Sequence, residues 1–454
     1  MCADKFIELS DLLSPVRQNE IMFRGESGDI TAGVVRLGTV ELIKKLQAFE
    51  GSRVAITAVD RASFVLALLA VAYAGKSAVL LPYRDAAYLN LKKQYFDLVL
   101  TDKLYPAEDA DFVQLQAEIP QCQNGSCDLG IALADLPYLD LNTKVYLFTS
   151  GTSGEPKIVE KTLSFMQEES RILYGIFGDK IAGRDFISSV HPQHLYGLTF
   201  GVFLPLCSGA AIERALIRDA AALSQLPPFE RGHVLVSSPG LFKRIDFRTK
   251  AQDFAFITSG TVELTQDLAD KVMDWAGCNI FECYGSTESG VMGYRLRRDK
   301  KSRFTPLPGV SFFMGQVSYI LHSPIITGGQ LILSDMLEFY GDGTFKPCGR
   351  FDNIIKIDEQ RVSINELTSQ LRSFDEVDDA EVLVLPPEEV PTIGAVVVLK
   401  EGLKESDTID SIKERIALNL GDKAVPQRFV FVPEIPENKM GKRLRFRLQA
   451  LFDE

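Results

Sequence analysis

The chain has no apolar run long enough to cross a membrane unbroken. Its most hydrophobic stretch, Phe64 to Pro82, is interrupted by Gly75 and Lys76. It divides into a helix over Ala62 to Ala74 and a strand over Ser77 to Leu81, so no membrane span is expected. The opening Met1-Cys2-Ala3-Asp4-Lys5 lacks the basic flank and apolar core of a secretory signal. Positive charge is also short: 49 Lys and Arg face 61 Asp and Glu, a net charge of −12. That balance argues against a general nucleic-acid binder. Seven cysteines are scattered along the chain, and Cys122/Cys127 and Cys278/Cys283 have no histidine or second pair at zinc-site spacing. Reduced thiols in a cytoplasmic protein account for them. There is no low-complexity linker and no internal repeat.

What is present is a soluble globular composition, 46% hydrophobic over 454 residues, enough for two domains and a large core. Val54-Ala55-Ile56-Thr57, the helix after it and the strand from Ser77 read as a buried β-α-β unit. Further strands are expected over Asp97 to Thr101, Lys144 to Phe148, His233 to Ser237, Phe254 to Thr258 and Asn279 to Glu282. Several run straight into Ser/Thr/Gly loops, where ligand sites of parallel sheets lie. The expected fold class is α/β, with a large layered domain over residues 1–350. A small, mobile α+β domain follows over 351–454, with strands at Asp379 to Leu385, Thr392 to Leu399 and Arg428 to Val432 and a helix near Asp407 to Leu420.

The densest chemical signal is Thr149-Ser150-Gly151-Thr152-Ser153-Gly154-Glu155-Pro156-Lys157, directly after the strand Val145-Tyr146-Leu147-Phe148. Glycines let backbone amides approach a ligand, the hydroxyls add donors and Lys157 adds a full positive charge. A strand feeding such a loop makes a phosphate cradle. Glu155 and Pro156 separate Gly154 from Lys157, so the Walker spacing is not met. A flexible Ser/Gly surface loop has the same composition, and the segments downstream decide between the two.

Phe281-Glu282-Cys283-Tyr284-Gly285-Ser286-Thr287-Glu288-Ser289-Gly290 places a hard carboxylate, a hydroxyl and a flat ring together. Glu288 suits Mg²⁺ on a polyphosphate, Thr287 a phosphate oxygen and Tyr284 a purine face; a capped strand-to-turn connection would read the same. Asp335 stands 15 residues ahead of Arg350 and could accept both hydroxyls of a ribose. Lys442, after Gly441, precedes a short basic helix; alone it would pass for a solvated surface charge.

In this order the segments resemble the core motifs of the adenylate-forming superfamily, which includes acyl-CoA synthetases, 4-coumarate ligases, peptide-synthetase adenylation domains and firefly luciferase. The resemblance runs from about Leu68 to Arg443. It implies that Thr149, Ser150, Gly151, Thr152, Ser153, Gly154 and Lys157 form a pyrophosphate loop. It implies that Ser259-Gly260-Thr261 lines the adenine and acyl sites, and that Tyr284 and Gly285 face adenine. Thr287 and Glu288 would meet the α-phosphate and Mg²⁺, Asp335 and Arg350 the ribose. Asp352 would be the hinge and Lys442 the lysine of the first half-reaction. ATP and Mg²⁺ are the implied cofactors.

His191-Pro192-Gln193-His194-Leu195-Tyr196-Gly197-Leu198 resembles the His-x-x-Gly-Leu segment of acyl- and aryl-CoA synthetases. It implies that His194, Tyr196 and Gly197 line the acid site. No aspartate stands there to pair with a substrate ammonium, so a plain carboxylic acid is expected. Ile158 replaces a usual glycine, and Glu359 replaces the glycine past which a pantetheine arm runs. The acceptor is therefore left open between CoA and an acyl carrier protein. Arg295, Arg297, Arg298, Lys300, Lys301 and Arg303 form one basic cluster, and Lys439, Lys442, Arg443, Arg445 and Arg447 another. Both fit an acidic or phosphorylated partner. A ligase that stops at the adenylate, a luciferase-like oxygenase and an inactive nucleotide-binding homologue are the competing readings.

Overall fold

The computed structural model describes residues 6–120, 136–149, 157–226, 229, 231–315, 318–350, 354–357, 360–385, 392–438 and 441–453. Contacts divide the chain into two compact units: Met1–Ser311 with His322–Leu331, and Phe312–Leu321 with Ile332–Glu454. This division lies upstream of the 350/351 boundary expected from composition, and Asp335 and Arg350 fall in the second unit.

The first unit is built on two sheets. In a six-stranded sheet the neighbours run Gln114–Gln116, Leu98–Thr101, Arg53–Ile56, Ser77–Leu80, Lys144–Thr149 and Lys157–Thr162. All pairs are parallel except the last, in which Thr149 faces Lys157 and Lys144 faces Thr162. The expected β-α-β unit is present. Arg53 pairs with Ser77 across it, and the connecting helix Arg61–Tyr73 buries every one of its 13 residues. A helix apolar on all sides can only be interior, and each fully buried side chain such as Phe64 or Leu66 contributes about 1.5–3 kcal/mol. Asp60 starts this helix by accepting the Ser63 amide at 2.9 Å, as the N-cap preference of short polar acceptors requires.

The second sheet has nine strands. Its centre, in the order Ile280–Ser286, Phe254–Ser259, His233–Ser237 and Phe186–Ser188, is parallel. Gly290–Leu296 then returns antiparallel to Ile280–Ser286. Phe177, Phe256 and Phe281 pack on one face of this centre, and Leu235, Phe242 and Ile257 on the other.

In the second unit Asp335–Phe339 pairs with Phe345–Arg350, and Ile354–Ile357 with Gln360–Ser363. Ser363 caps the helix Ile364–Arg372 by accepting the Glu366 amide at 3.2 Å, the start of a Ser-x-x-Glu capping box. Val377–Leu385, Thr392–Leu399 and Arg428–Phe431 form a sheet whose apolar face packs with Leu367, Leu371, Ile412 and Ile416. The expected α+β architecture is therefore present, its helices Glu405–Leu420 and Arg445–Ala450 included.

Candidate functional site

Four neighbouring strands of the nine-stranded sheet end on one edge. Phe186–Ser188 leads to the segment from His191 to Gly197, His233–Ser237 to Ser238 and Pro239, Phe254–Ser259 to Gly260 and Thr261, and Ile280–Ser286 to Thr287 and Glu288. Carboxyl ends of parallel strands are where an α/β sheet presents loops to a ligand.

The clearest geometry is the turn Thr287–Ser289 between two antiparallel strands. Its serines close on one another: the Ser286 amide donates to Ser289 Oγ at 2.9 Å and the Ser289 amide to Ser286 Oγ at 3.1 Å. Gly290 has φ +69°, and an added Cβ would lie 2.7 Å from a Glu169 carboxylate oxygen and 2.6 Å from Ile325 Cδ1. Only glycine meets both demands. The turn thus carries Thr287 and Glu288 on a fixed backbone, with Tyr284 on the strand feeding it. The Tyr284 ring lies 5.4 Å from that of Phe304. Gly285, exposed, stands between Tyr284 and the turn.

Lys157 enters from the other sheet. Its Nζ is 3.4 Å from Glu288 Oε1, with 64% of the lysine side chain and 28% of the glutamate side chain exposed. The structure therefore brings together an ammonium and a carboxylate that the sequence holds 131 residues apart (288 − 157). Ser150, Gly151, Thr152, Ser153 and Gly154 lie outside the described residues, as does the side chain of Thr149. The antiparallel return of Lys157–Thr162 is not among the strands expected from the sequence. Its sequence, Lys-Ile-Val-Glu-Lys-Thr, carries no apolar alternation, because one of the two inward positions, beside Val159, is filled by Lys161.

The segment from His191 to Leu198, expected to line the acid site, is ordered by close contacts. His194, half-buried, precedes the helical turn Leu195–Leu198, and its backbone carbonyl accepts the Leu198 amide at 2.9 Å. A Cβ on Gly197 would stand 2.2 Å from the His191 carbonyl oxygen, so the chain can pass there only as glycine. The Tyr196 ring lies against Gly260, where an added Cβ would approach to 2.7 Å, and 5.0 Å from the Phe200 ring. Its hydroxyl donates to Thr258 Oγ1 at 3.1 Å, which in turn is 3.7 Å from Cys283 Sγ. Burial raises the pKa of Tyr196 well above the phenol value and pushes the Cys283 thiol up to about 12, so both stay protonated at neutral pH. Thr258 and Cys283 were not singled out from sequence. Thr258 ends the expected strand Phe254 to Thr258, whereas Cys283 lies one residue past the expected strand Asn279 to Glu282, which continues to Ser286. Ser259 Oγ is buried without a hydrogen-bond partner. Thr261, exposed, has φ +78°, a left-handed conformation costing a non-glycine residue about 1–2 kcal/mol. Such strain concentrates at ligand sites.

The segment after Tyr196 is a π-helical turn, Thr199–Phe203, whose looser winding leaves carbonyls to be satisfied from outside. Buried Arg61 supplies one donor to the Gly201 carbonyl and another to that of Glu213 at 3.1 Å. Burial lowers its pKa to about 9 against the opposing charges of Glu213 and Asp60.

In the second unit Asp335 and Arg350 are cross-strand partners; the Arg350 side chain is not among those described. Asp352 and Glu359 lie outside the described residues. Lys442 is exposed and its backbone is tied to Asn438: the Lys442 amide donates to Oδ1 at 2.9 Å, and its carbonyl accepts from the Asn438 amide at 2.8 Å. Arg443 fastens this turn to the sheet. It donates to Glu381 at 2.7 Å, to the Ala380 carbonyl at 3.2 Å, to Glu437 at 3.3 Å and to Asp379. Burial works against its charge, but Asp379 and Glu381 overcome this and raise its pKa. Arg443→Met would leave three carboxylates without this partner. We expect a loss of about 1–3 kcal/mol, read as an earlier denaturant midpoint at unchanged slope. A midpoint equal to wild type would refute the anchoring role.

The basic clusters are only partly surfaces. Arg295 and Arg297 are buried and both bond Glu282, at 2.7 and 3.0 Å, and the Arg295 guanidinium stands 4.4 Å over the Phe304 ring. The first cluster is thereby corrected: Arg298, Lys300 and Lys301 are its exposed members. In the second, Arg443 is committed internally as above, whereas Lys442, Arg445 and Arg447 are exposed beside Phe446, itself 63% exposed. Lys439 lies outside the described residues.

Comparison with known proteins matches the AMP-binding enzyme family model over residues 117–323 and the AMP-binding enzyme C-terminal domain over 366–442. A 4-coumarate–CoA ligase of Cereibacter sphaeroides is 26% identical over 298 residues, 65% of this chain and 68% of that protein. Tyrocidine synthase 3 of Brevibacillus parabrevis is 23% identical over 72% of this chain, which spans only 6% of that much longer protein. The solved structure of an anthranilate–CoA ligase bound to anthranoyl-AMP is similar in fold, with a TM-score of 0.73 at 16% identity over 99% of this chain and 98% of that one.

Proposed function

Since the chain belongs to the AMP-binding enzymes of the adenylate-forming superfamily, we propose that it activates a carboxylic acid with ATP and passes the acyl group to a pantetheine thiol. The observation that carries this reading is the meeting of Lys157 and Glu288 at 3.4 Å, on the strand edge that also carries Tyr196 and Thr261. A substrate carboxylate oxygen bonds to the α-phosphorus while the bond to the β-phosphate oxygen breaks, releasing pyrophosphate. The thiol sulfur then bonds to the acyl carbon, AMP leaves and the thiol proton passes to solvent.

The first step sets an anion against a polyanion. At an effective dielectric of about 20, two unit charges 4 Å apart interact by ~4 kcal/mol, so unshielded repulsion would slow it severely. Lys157 and the loop from Thr149 to Gly154 hold the departing phosphates, and Lys442 places its ammonium at the reacting oxygens. Thr287 donates to the α-phosphate. Ser259, Gly260, Thr261, Tyr284 and Gly285 bound the adenine side, and Asp335 and Arg350 take the ribose. Asp352 is the proposed hinge. Among the described residues no three His, Cys, Asp or Glu side chains gather as a metal cage. One carboxylate, Glu288, fits Mg²⁺, which is held chiefly by phosphate oxygens and water. When bound it would screen the phosphate charge.

The half-buried Tyr196 ring at the strand edge and the 4-coumarate–CoA ligases among the similar proteins support an aryl acid. For the acceptor we propose CoA or an acyl carrier protein. The exposed Arg445, Phe446 and Arg447 suit the acidic helix of a carrier, and Glu359 argues against the usual CoA passage. No described helix is long and apolar enough to cross a membrane, and a cytoplasmic location is proposed.

The test is pyrophosphate release from MgATP with short, medium, long and aryl acids, each with CoA, a holo-carrier protein or no acceptor. Acid-dependent release supports adenylation, and the acceptor giving sustained turnover identifies the second step. No release with any acid would sink the proposal.

A further inference from the structure

Two buried charges lie beneath the Thr287–Ser289 turn, and neither belongs to a sequence motif. Lys161, 2% exposed, donates from Nζ to the Glu288 carbonyl at 2.9 Å and to the Ile325 carbonyl at 3.4 Å. Glu169, 0% exposed on the helix Leu163–Ile181, accepts from two directions. One oxygen takes the Val291 amide at 2.7 Å, just past the turn. The other takes the Thr199 hydroxyl, also at 2.7 Å, at the head of the π-helical turn that follows Tyr196. Burying a carboxylate and an ammonium is costly, and an apolar pair of similar volume would fill this space at least as stably. What an apolar pair cannot do is hold both the backbone amide just past the nucleotide turn and the hydroxyl just past the acid segment.

We propose that Glu169 is a positioning residue that couples the acid segment, through Thr199, to the turn bearing Thr287 and Glu288, with Lys161 fixing the same turn from its carbonyl side. The inference rests on the reading of these two segments as the acid and nucleotide sites. One carboxylate bridges them, so the placement of either segment constrains the other. Burial lowers the Lys161 pKa while the Glu169 and Glu288 charges oppose it, and the ammonium is held by two backbone carbonyls. Thr199 is thus expected to affect nucleotide binding even though its side chain points into the protein and away from solvent.

The test is calorimetric titration of MgATP into the intact protein and its Thr199→Val, Glu169→Gln and double variants. Ser170→Ala serves as control: its buried hydroxyl bonds only within the same helix, to the Met166 carbonyl. Each single variant is expected to weaken MgATP about 5- to 10-fold, and the double variant no more than the worse single, because both act through one carboxylate. Ser170→Ala is expected to keep wild-type affinity even where its melting temperature falls, which separates positioning from simple loss of stability. Affinities within 2-fold of wild type for Thr199→Val, or additive losses in the double variant, overturn the coupling. Wild-type protein that binds no MgATP would overturn the functional reading and this inference with it.

Discussion

Lys442→Ala is expected to lower acid-dependent pyrophosphate release about 10²- to 10³-fold, the usual loss when one preorganised charge or donor at a reacting oxygen is removed. MgATP affinity should change by less than about 3-fold, because the other proposed phosphate contacts, Lys157 and the loop before it, are untouched. The Lys442 side chain is exposed, and the turn is held by Asn438 and by Arg443, whose four partners do not involve the lysine side chain. Transfer of the acyl group from a chemically prepared acyl-adenylate to the thiol should survive. That split, adenylation lost and thiol transfer kept, cannot come from a folding defect. Undiminished pyrophosphate release would remove Lys442 from the first half-reaction, and loss of both steps would point to damage elsewhere.

The fold was legible wherever local pattern and burial agree. The strand His233–Ser237 and the helix Arg61–Tyr73 are apolar because both faces are covered, and their composition says so without any tertiary information. The boundary between the compact units was harder. Residues 332–350 carry no shift in composition; their assignment comes from pairing, as in the ladder of Asp335 with Arg350, which local sequence does not encode. The antiparallel strand after Lys157 was missed for a related reason, since half of it is charged or exposed and its partner lies across the loop.

The site was legible as an ordered set of motifs, because glycine, hydroxyl and carboxylate at fixed spacing have few other uses. The underside of the turn was not. Lys161 and Glu169 look like ordinary charges of a surface strand and helix, and only the fold shows that Lys161 faces inward and that Glu169 lies wholly within the unit. The same holds for Arg295 and Arg297, whose arginine-rich neighbourhood reads as a surface patch until Glu282 is placed between them. Periodicity reports which face is apolar; it says nothing of a charge that has found its partner inside.

Glu288→Gln is expected to lower kcat/KM for acid-dependent pyrophosphate release about 100-fold and to raise the Mg²⁺ concentration for half-maximal activity about 10-fold, since a neutral amide is a poor ligand for a hard cation. The replacement keeps shape and removes charge. The turn itself should not move, because it is held by backbone: the Glu288 carbonyl accepts from Lys161, the Ser286 and Ser289 hydroxyls close the loop, and Gly290 sets its exit. The carboxylate's bond to Lys157 is half-exposed, and such pairs contribute about 0–1 kcal/mol, so thermal stability should stay close to wild type. A weak pair also suits the proposed reaction, because Lys157 would have to exchange Glu288 for the phosphates if that carboxylate were to hold Mg²⁺. Titrating Mg²⁺ at saturating ATP and acid decides the matter. An unchanged Mg²⁺ dependence in a folded Glu288→Gln protein would mean that the cation is held elsewhere and that the 3.4 Å pair is only a surface ion pair.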